Sequence, residues 1–198
     1  MTQEKALALL KSGRNIFLTG SAGTGKTYVL NQFIQHLKDA NINVAVTAST
    51  GIAATHIKGS TIHSWAGIGI KQLVTGKDLR NLKKKKYLRD QFDKVKVLII
   101  DEISMLHKDQ LNSINQVLTY CKENNEAFGG IQIVLCGDFF QLPPIGKYGE
   151  RSSDKFSFMS TAWQIANFNI CYLTKQFRQN DNSLGSVLEE IRSGNVTQ

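Results

Sequence analysis

Only two prolines and three cysteines occur among the 198 residues, and no apolar run approaches the ~18 residues that a membrane-spanning helix needs. With prolines so scarce and 41% of residues apolar, a collagen-like or proline-rich disordered chain is excluded. The cysteines (Cys121, Cys136 and Cys171) have no close spacing and no histidine partners in a zinc pattern. Such a scattered, odd set reads as reduced thiols, which predicts an intracellular protein of the cytoplasm, nucleus or mitochondrion. Cys136 and Cys171 lie in apolar runs and read as small core residues. The first residues, MTQEKALALLKSG, lack the long apolar region of a signal peptide, so no membrane partner is expected. Acidic residues are also few, 16 Asp and Glu against 24 Lys and Arg, a formal charge of +8. That excess draws polyanions, of which nucleic acid is the commonest.

The length suits one α/β domain with its own core, spanning 1–198. Apolar and polar runs alternate in a βαβα rhythm that predicts a mostly parallel sheet flanked by helices in three layers. Strands are expected at Asn15–Thr19, Asn43–Ala48, Lys96–Ile100, Gln132–Cys136 and Asn169–Leu173, each short and apolar enough for burial on both faces. Helical patterns are clearest at Lys26–Lys38 and Lys108–Glu123. In the first of these, Leu30, Phe33, Ile34 and Leu37 recur at helical spacing, which lays one face on the sheet. Between Lys77 and Arg89 the chain carries four consecutive lysines, Lys83 to Lys86. Four adjacent lysines cannot share one helix face, so the run reads as a solvated surface turn, with a phosphate-contacting or nuclear-localisation role as the alternative.

Gly20-Ser21-Ala22-Gly23-Thr24-Gly25-Lys26-Thr27 satisfies the phosphate-loop pattern in full, with a strand before it and an amphipathic helix after it. Glycines let the backbone curl so that successive N–H groups face a phosphate, and the helix adds the positive end of its dipole. Lys26 is expected on the β- and γ-phosphates, and the Thr27 hydroxyl on Mg²⁺. The pattern predicts nucleoside-triphosphate binding without saying how the nucleotide is used.

The downstream residues discriminate. The strand candidate up to Ile100 ends in two carboxylates, Asp101 and Glu102. Asp101 is expected to complete the Mg²⁺ site with Thr27, and Glu102 to orient and deprotonate an attacking water, which favours hydrolysis. Past the strand Ile131–Cys136 comes GDFFQLPP, whose Gln141 has both a donor and an acceptor for the γ-phosphate and the water. Arg178, in Phe177-Arg178-Gln179, is either an arginine finger acting in cis or a surface salt-bridge partner.

Together these blocks resemble the petite integration frequency helicases, a branch of superfamily 1B DNA helicases, over nearly the whole chain. Gln3 is similar to that family's adenine-recognising glutamine. The run Thr47-Ala48-Ser49-Thr50-Gly51-Ile52-Ala53-Ala54 and the run Thr61-Ile62-His63-Ser64-Trp65-Ala66-Gly67-Ile68-Gly69 resemble its strand-contacting motifs. Asp101-Glu102-Ile103-Ser104-Met105 resembles its hydrolysis motif, and Leu111 to Gln132, with Phe128-Gly129-Gly130, its signature segment. The resemblance implies a RecA-like fold and ATP with Mg²⁺ as cofactors. It also implies 5′ to 3′ translocation on single-stranded DNA and unwinding of forked duplexes, in replication, repair, recombination or telomere maintenance. It further implies that this chain is the first of two RecA-like domains, the second acting in cis or in trans, so that alone it binds nucleotide and DNA without unwinding. Thr47, Ser49, Thr50, Gly51 and His63 are the expected DNA contacts. The short polar groups of Thr47, Ser49, Thr50 and His63 suit phosphates rather than bases, as a sequence-indifferent motor requires. His63 reads otherwise as a satisfied polar residue near the core, and Trp65 and Phe139 read either as base-stacking or as core aromatics.

Overall fold

The computed structural model describes residues 1–177. Arg178 lies outside them. Six strands form one sheet: β1 (Ile16–Gly20), β2 (Val44–Ala48), β3 (Ser60–Thr61), β4 (Val97–Asp101), β5 (Gln132–Cys136) and β6 (Asn169–Leu173). Their order is β3-β2-β4-β5-β1-β6, and every pairing is parallel. The five strands expected from the sequence therefore form within a residue of their predicted bounds. The two-residue β3 is too short to leave a periodic signal.

Alternation along the strands divides the core into two faces. Phe17, Leu98, Ile100, Ile133 and Leu135 point to one side. Ile16, Leu18, Val97, Ile99, Val134 and Cys136 point to the other. The second face is covered by α1 (Gln3–Lys11) and α2 (Lys26–Asp39), through Ala6, Leu10, Val29, Leu30, Phe33, Ile34 and Leu37. The first is covered by α4 (Ile62–Trp65), α5 (Gly76–Lys84), α6 (Lys86–Lys94), α7 (Lys108–Lys122) and α8 (Thr161–Ala166). A short helix, α3 (Gly51–His56), packs Ala54 beside Ala48 and Ile57. The result is the three-layer αβα arrangement the sequence predicts.

The helix starts are fixed by short polar side chains, which satisfy N–H groups that a helix leaves unpaired. Thr2, Thr50, Thr61, Thr75 and Ser160 cap α1, α3, α4, α5 and α8. Helix α7 begins with a reciprocal box in which the His107 ring accepts from a first-turn N–H and the Gln110 side chain accepts from the His107 N–H. The lysine run is where α5 ends and α6 begins. Leu82 and Leu88 anchor its two sides in the core while Lys84, Lys85 and Lys86 stand in solvent, as expected. Only Lys85 lies between the helices, however, and Lys83 pairs with Glu123.

The expected signature segment is a backbone device. Phe128, Gly129 and Gly130 all have left-handed φ, 54°, 67° and 75°, and they turn the chain from α7 into β5. A Cβ on Gly129 would lie 2.9 Å from the Leu118 carbonyl oxygen, so the turn presses against α7 too closely for any side chain. Phe128 is wholly buried, and its N–H donates to Asn115 Oδ1 at 2.7 Å. Trp65 and Phe139 are half-buried and pack against the edge of the core, as the core-aromatic reading expects. Trp65 meets Phe92 edge-on at 5.2 Å. Phe139 sits among Phe17, Phe156, Phe158 and Trp163, at centroid distances of 4.8 to 5.9 Å.

Candidate nucleotide and DNA site

Strands β1, β4 and β5 run parallel, so their carboxyl ends open on one crevice, where ligands bind in open α/β sheets. The loop after β1 is held by its own contacts. The Thr24 hydroxyl, almost fully buried, donates to the Ser21 carbonyl at 2.9 Å. Gly25 stands at φ +84°, the left-handed region, and opens α2. A Cβ there would lie 2.0 Å from Gln3 Nε2. Gln3 itself donates from Nε2 to the Thr24 carbonyl at 3.1 Å, which brings the first residue of α1 onto the loop. The Phe177 N–H donates to the Gly23 carbonyl at 2.9 Å, so the chain following β6 returns to the same place. Ser21 and Gly23 are partly exposed and Ala22 is exposed, leaving the crest of the loop open to a ligand.

Lys26 Nζ lies 2.8 Å from the Gly20 carbonyl and 3.1 Å from that of Ser21. The ammonium is thus held across the mouth of the loop, where a phosphate would take over from two neutral carbonyls. Thr27, next on α2, is exposed.

Asp101 ends β4 and is buried, and its Oδ1 accepts the Glu102 N–H at 2.9 Å. Glu102 has left-handed φ and ψ, 52° and 44°, which bends the chain sharply at the strand end. Such a conformation costs a side-chain-bearing residue about 1–3 kcal/mol and persists only where the surroundings impose it. Burial pushes the Glu102 carboxyl above its usual pKa, and the charges of Asp101 and Asp138 add to that while Lys26 opposes it. These charges act on one another because they share the crevice. A carboxyl so raised is a stronger proton acceptor than an ordinary glutamate.

Gln141 is exposed in the loop after β5, and its Nε2 donates to Asp138 Oδ2 at 3.1 Å. Asp138 is buried and also accepts the Phe140 N–H, so it folds this loop back and orients the glutamine. Sequence reasoning passed over Asp138. Its signal was there, a carboxylate three residues before Gln141, the spacing of a side chain that folds its own turn.

The residues expected to hold a metal fit a magnesium ion carried in with a triphosphate. Among the described residues no group of three or more His, Cys, Asp or Glu forms a ready-made cage. Magnesium usually takes one or two carboxylates and completes its shell with phosphate and water. One exposed threonine after the phosphate loop and one buried aspartate at the end of β4 are such a set.

The expected DNA residues divide. Thr47 is fully buried, and its hydroxyl donates to the Ile99 carbonyl at 2.6 Å. The expectation that this hydroxyl meets DNA is therefore corrected, since the group is spent inside the sheet between β2 and β4. Ser49 is nearly buried as well, and its hydroxyl donates to the Glu102 carbonyl at 2.7 Å, while its N–H donates to the Asp101 carbonyl at 3.0 Å. Its hydroxyl joins the expected DNA motif to the expected hydrolysis motif and is committed to that bond. Thr50, half-exposed, accepts the Ala53 N–H and keeps its own proton to donate, and Gly51 is exposed. His63 is half-buried on α4, with Nε2 2.8 Å from Gln110 Nε2.

A family model described as PIF1-like helicase matches residues 3–195. The ATP-dependent DNA helicase Pif1 of Psychrobacter sp. (strain PRwf-1) is 56% identical over 202 residues, covering 98% of this chain and 31% of that protein. The crystal structure of Pif1 helicase from Candida albicans superposes with a TM-score of 0.90 at 42% identity, covering 99% of this chain and 44% of that one. That of Pif1 helicase from Bacteroides in complex with ADP-AlF3 and ssDNA does so with a TM-score of 0.84 at 38% identity, covering 98% and 46%. The chain thus spans less than half the length of these relatives. With the family model matched over nearly all of its residues, the chain belongs to the PIF1-like helicase family.

Proposed function

We propose that these residues form the first RecA-like domain of an ATP-driven motor that moves 5′ to 3′ on single-stranded DNA and opens forked duplexes. One observation carries this reading. Ser49, in the expected DNA motif, is hydrogen-bonded through both its hydroxyl and its N–H to the carbonyls of Glu102 and Asp101. A shift of the DNA strand against Thr50 and Gly51 would therefore move the carboxylates that act on ATP, and the reverse.

In this account Lys26 and the loop from Gly20 to Gly25 hold the β- and γ-phosphates, and Gln3 lies where the adenine edge would be met. Thr27 and Asp101 would hold Mg²⁺, which neutralises phosphate charge when bound. Glu102 takes a proton from the attacking water, whose oxygen bonds to the γ-phosphorus as the bond to the β-phosphate oxygen breaks. Gln141, with Nε2 turned to Asp138, offers its Oε1 to that water. The Arg178 guanidinium is proposed to meet the same γ-phosphate.

A second RecA-like domain, in cis or in trans, is proposed to close over this face. Phe140, Leu142, Ile145 and Tyr148, all large and exposed, lie within eight residues of Gln141 in the loop after β5, exposed apolar groups of the kind that partners cover. The 198 residues alone are then expected to bind Mg-ATP and single-stranded DNA and to hydrolyse slowly. The test compares unwinding of a forked duplex by the chain alone with unwinding after fusion to the second motor domain of a relative. Unwinding by the fusion alone supports the half-motor. Rapid DNA-stimulated turnover and unwinding by the 198 residues unaided would contradict it.

A further inference from the structure

A line of hydrogen-bonded side chains runs from the loop beyond Gln141 to the expected DNA motif. Glu150 accepts from His107 Nε2 at 2.9 Å and from the Lys147 N–H at 3.0 Å, and Lys108 is ion-paired with it. The His107 ring is almost wholly buried, and its Nδ1 accepts the Asp109 N–H at 3.1 Å. Gln110 comes next. Its Oε1 accepts the His107 N–H at 3.1 Å, and its Nε2 reaches His63 Nε2 at 2.8 Å.

This geometry decides where the His63 proton sits. The Gln110 amide cannot turn over, because its oxygen is committed to the cap of α7, so its NH₂ end faces the imidazole. Two donors cannot face each other at 2.8 Å. Nε2 of His63 must therefore be the unprotonated, accepting nitrogen, and Nδ1 carries the hydrogen. Nδ1 has no hydrogen bond among the described residues and is not sealed from solvent. Burial is the larger influence on the pKa of His63 and lowers it, in keeping with a neutral ring.

We propose that Gln110 is a positioning residue that fixes His63 as its Nδ1–H tautomer, so that His63 presents a neutral N–H donor to a phosphate of the DNA strand. A neutral donor holds a phosphate without a full ionic attraction, which suits a contact that must be released at each step. The DNA half of this inference rests on the function proposed above, whereas the tautomer rests on geometry alone.

Ring nitrogen shifts and DNA affinity, measured on the ¹⁵N-labelled 198-residue chain, test the two halves separately. The wild type is expected to show His63 Nε2 unprotonated and Nδ1 protonated. Gln110→Glu keeps the helix cap, since glutamate is at home in that box, but sets a carboxylate oxygen against Nε2. Nε2 of His63 should then become protonated while the melting temperature holds. Gln110→Leu, which removes the partner, and His63→Ala should each weaken binding of a fluorescein-labelled oligothymidylate about fivefold, the worth of one hydrogen bond. A protonated Nε2 in the wild type, or ring nitrogens unmoved in Gln110→Glu, overturns the positioning role. Unchanged oligothymidylate affinity in His63→Ala overturns the phosphate contact, while the nitrogen signals still judge the tautomer.

Discussion

The Glu102 N–H donates to Asp101 Oδ1 across 2.9 Å, and Glu102 itself is turned into a left-handed conformation. The two neighbouring carboxylates are thereby given different work. Asp101 has one oxygen tied to the backbone, while Glu102 is bent away from the strand into the crevice. Its pKa is raised chiefly by burial, which makes it the better proton acceptor of the two in the proposed hydrolysis.

That arrangement predicts a pH profile. The base must be deprotonated to act, so turnover should fall as pH drops through the raised pKa of Glu102, above the usual glutamate range. Removing a neighbouring negative charge with Asp138→Asn should move this acid limb to lower pH. An acid limb at the ordinary glutamate value, unmoved by Asp138→Asn, would show that Glu102 is not the base.

Gly25→Ala should cripple the phosphate loop. The new Cβ meets Gln3 Nε2, and the left-handed backbone costs a non-glycine residue about 1–2 kcal/mol, a factor of about tenfold in nucleotide affinity. Adding Gln3→Ala removes the collision and leaves the backbone penalty, so calorimetric ATP affinity should recover only in part. Full recovery would show that the φ value is unimportant.

The buried position of Thr47 predicts a separation of stability from DNA binding. Thr47→Val deletes a buried hydrogen bond to Ile99 O and should cost about 1 kcal/mol in urea unfolding, with oligothymidylate affinity unchanged. A selective loss of DNA affinity at unchanged stability would restore Thr47 to the DNA site.

This residue also marks the limit of sequence reasoning. The phosphate loop and the strand-end carboxylates were legible because their spacing and context admit few other geometries. Thr47 was misread because a short hydroxyl beside a sheet serves a ligand or a neighbouring strand equally well, and only the register of β2 against β4 tells them apart. Asp138 and Gln110 escaped notice because each acts through another residue. The partner of Gln110 is 47 positions away in the chain, and no local pattern announces it.

Glu150 gives an acid-sensitive contribution to stability. The His107 hydrogen bond, above all, lowers its pKa from the usual 4.5 to about 2. A carboxyl depressed in the folded state stabilises the fold above its unfolded pKa and loses that effect as pH falls through the folded value. Glu150→Gln should therefore lower the melting temperature near neutral pH, and the difference should shrink between pH 4.5 and about 2. A difference that stays constant across that window would mean that the charge of Glu150 contributes nothing.

The most direct test of the account is ATP turnover by the 198-residue chain, with and without oligothymidylate, beside its Lys26→Ala variant. The account predicts slow turnover that Lys26→Ala abolishes while the melting temperature is kept, because the substitution removes a phosphate-binding charge and no core contact. Turnover in Lys26→Ala equal to that of the wild type would contradict it, and the crevice at the ends of β1, β4 and β5 would not be the site of hydrolysis.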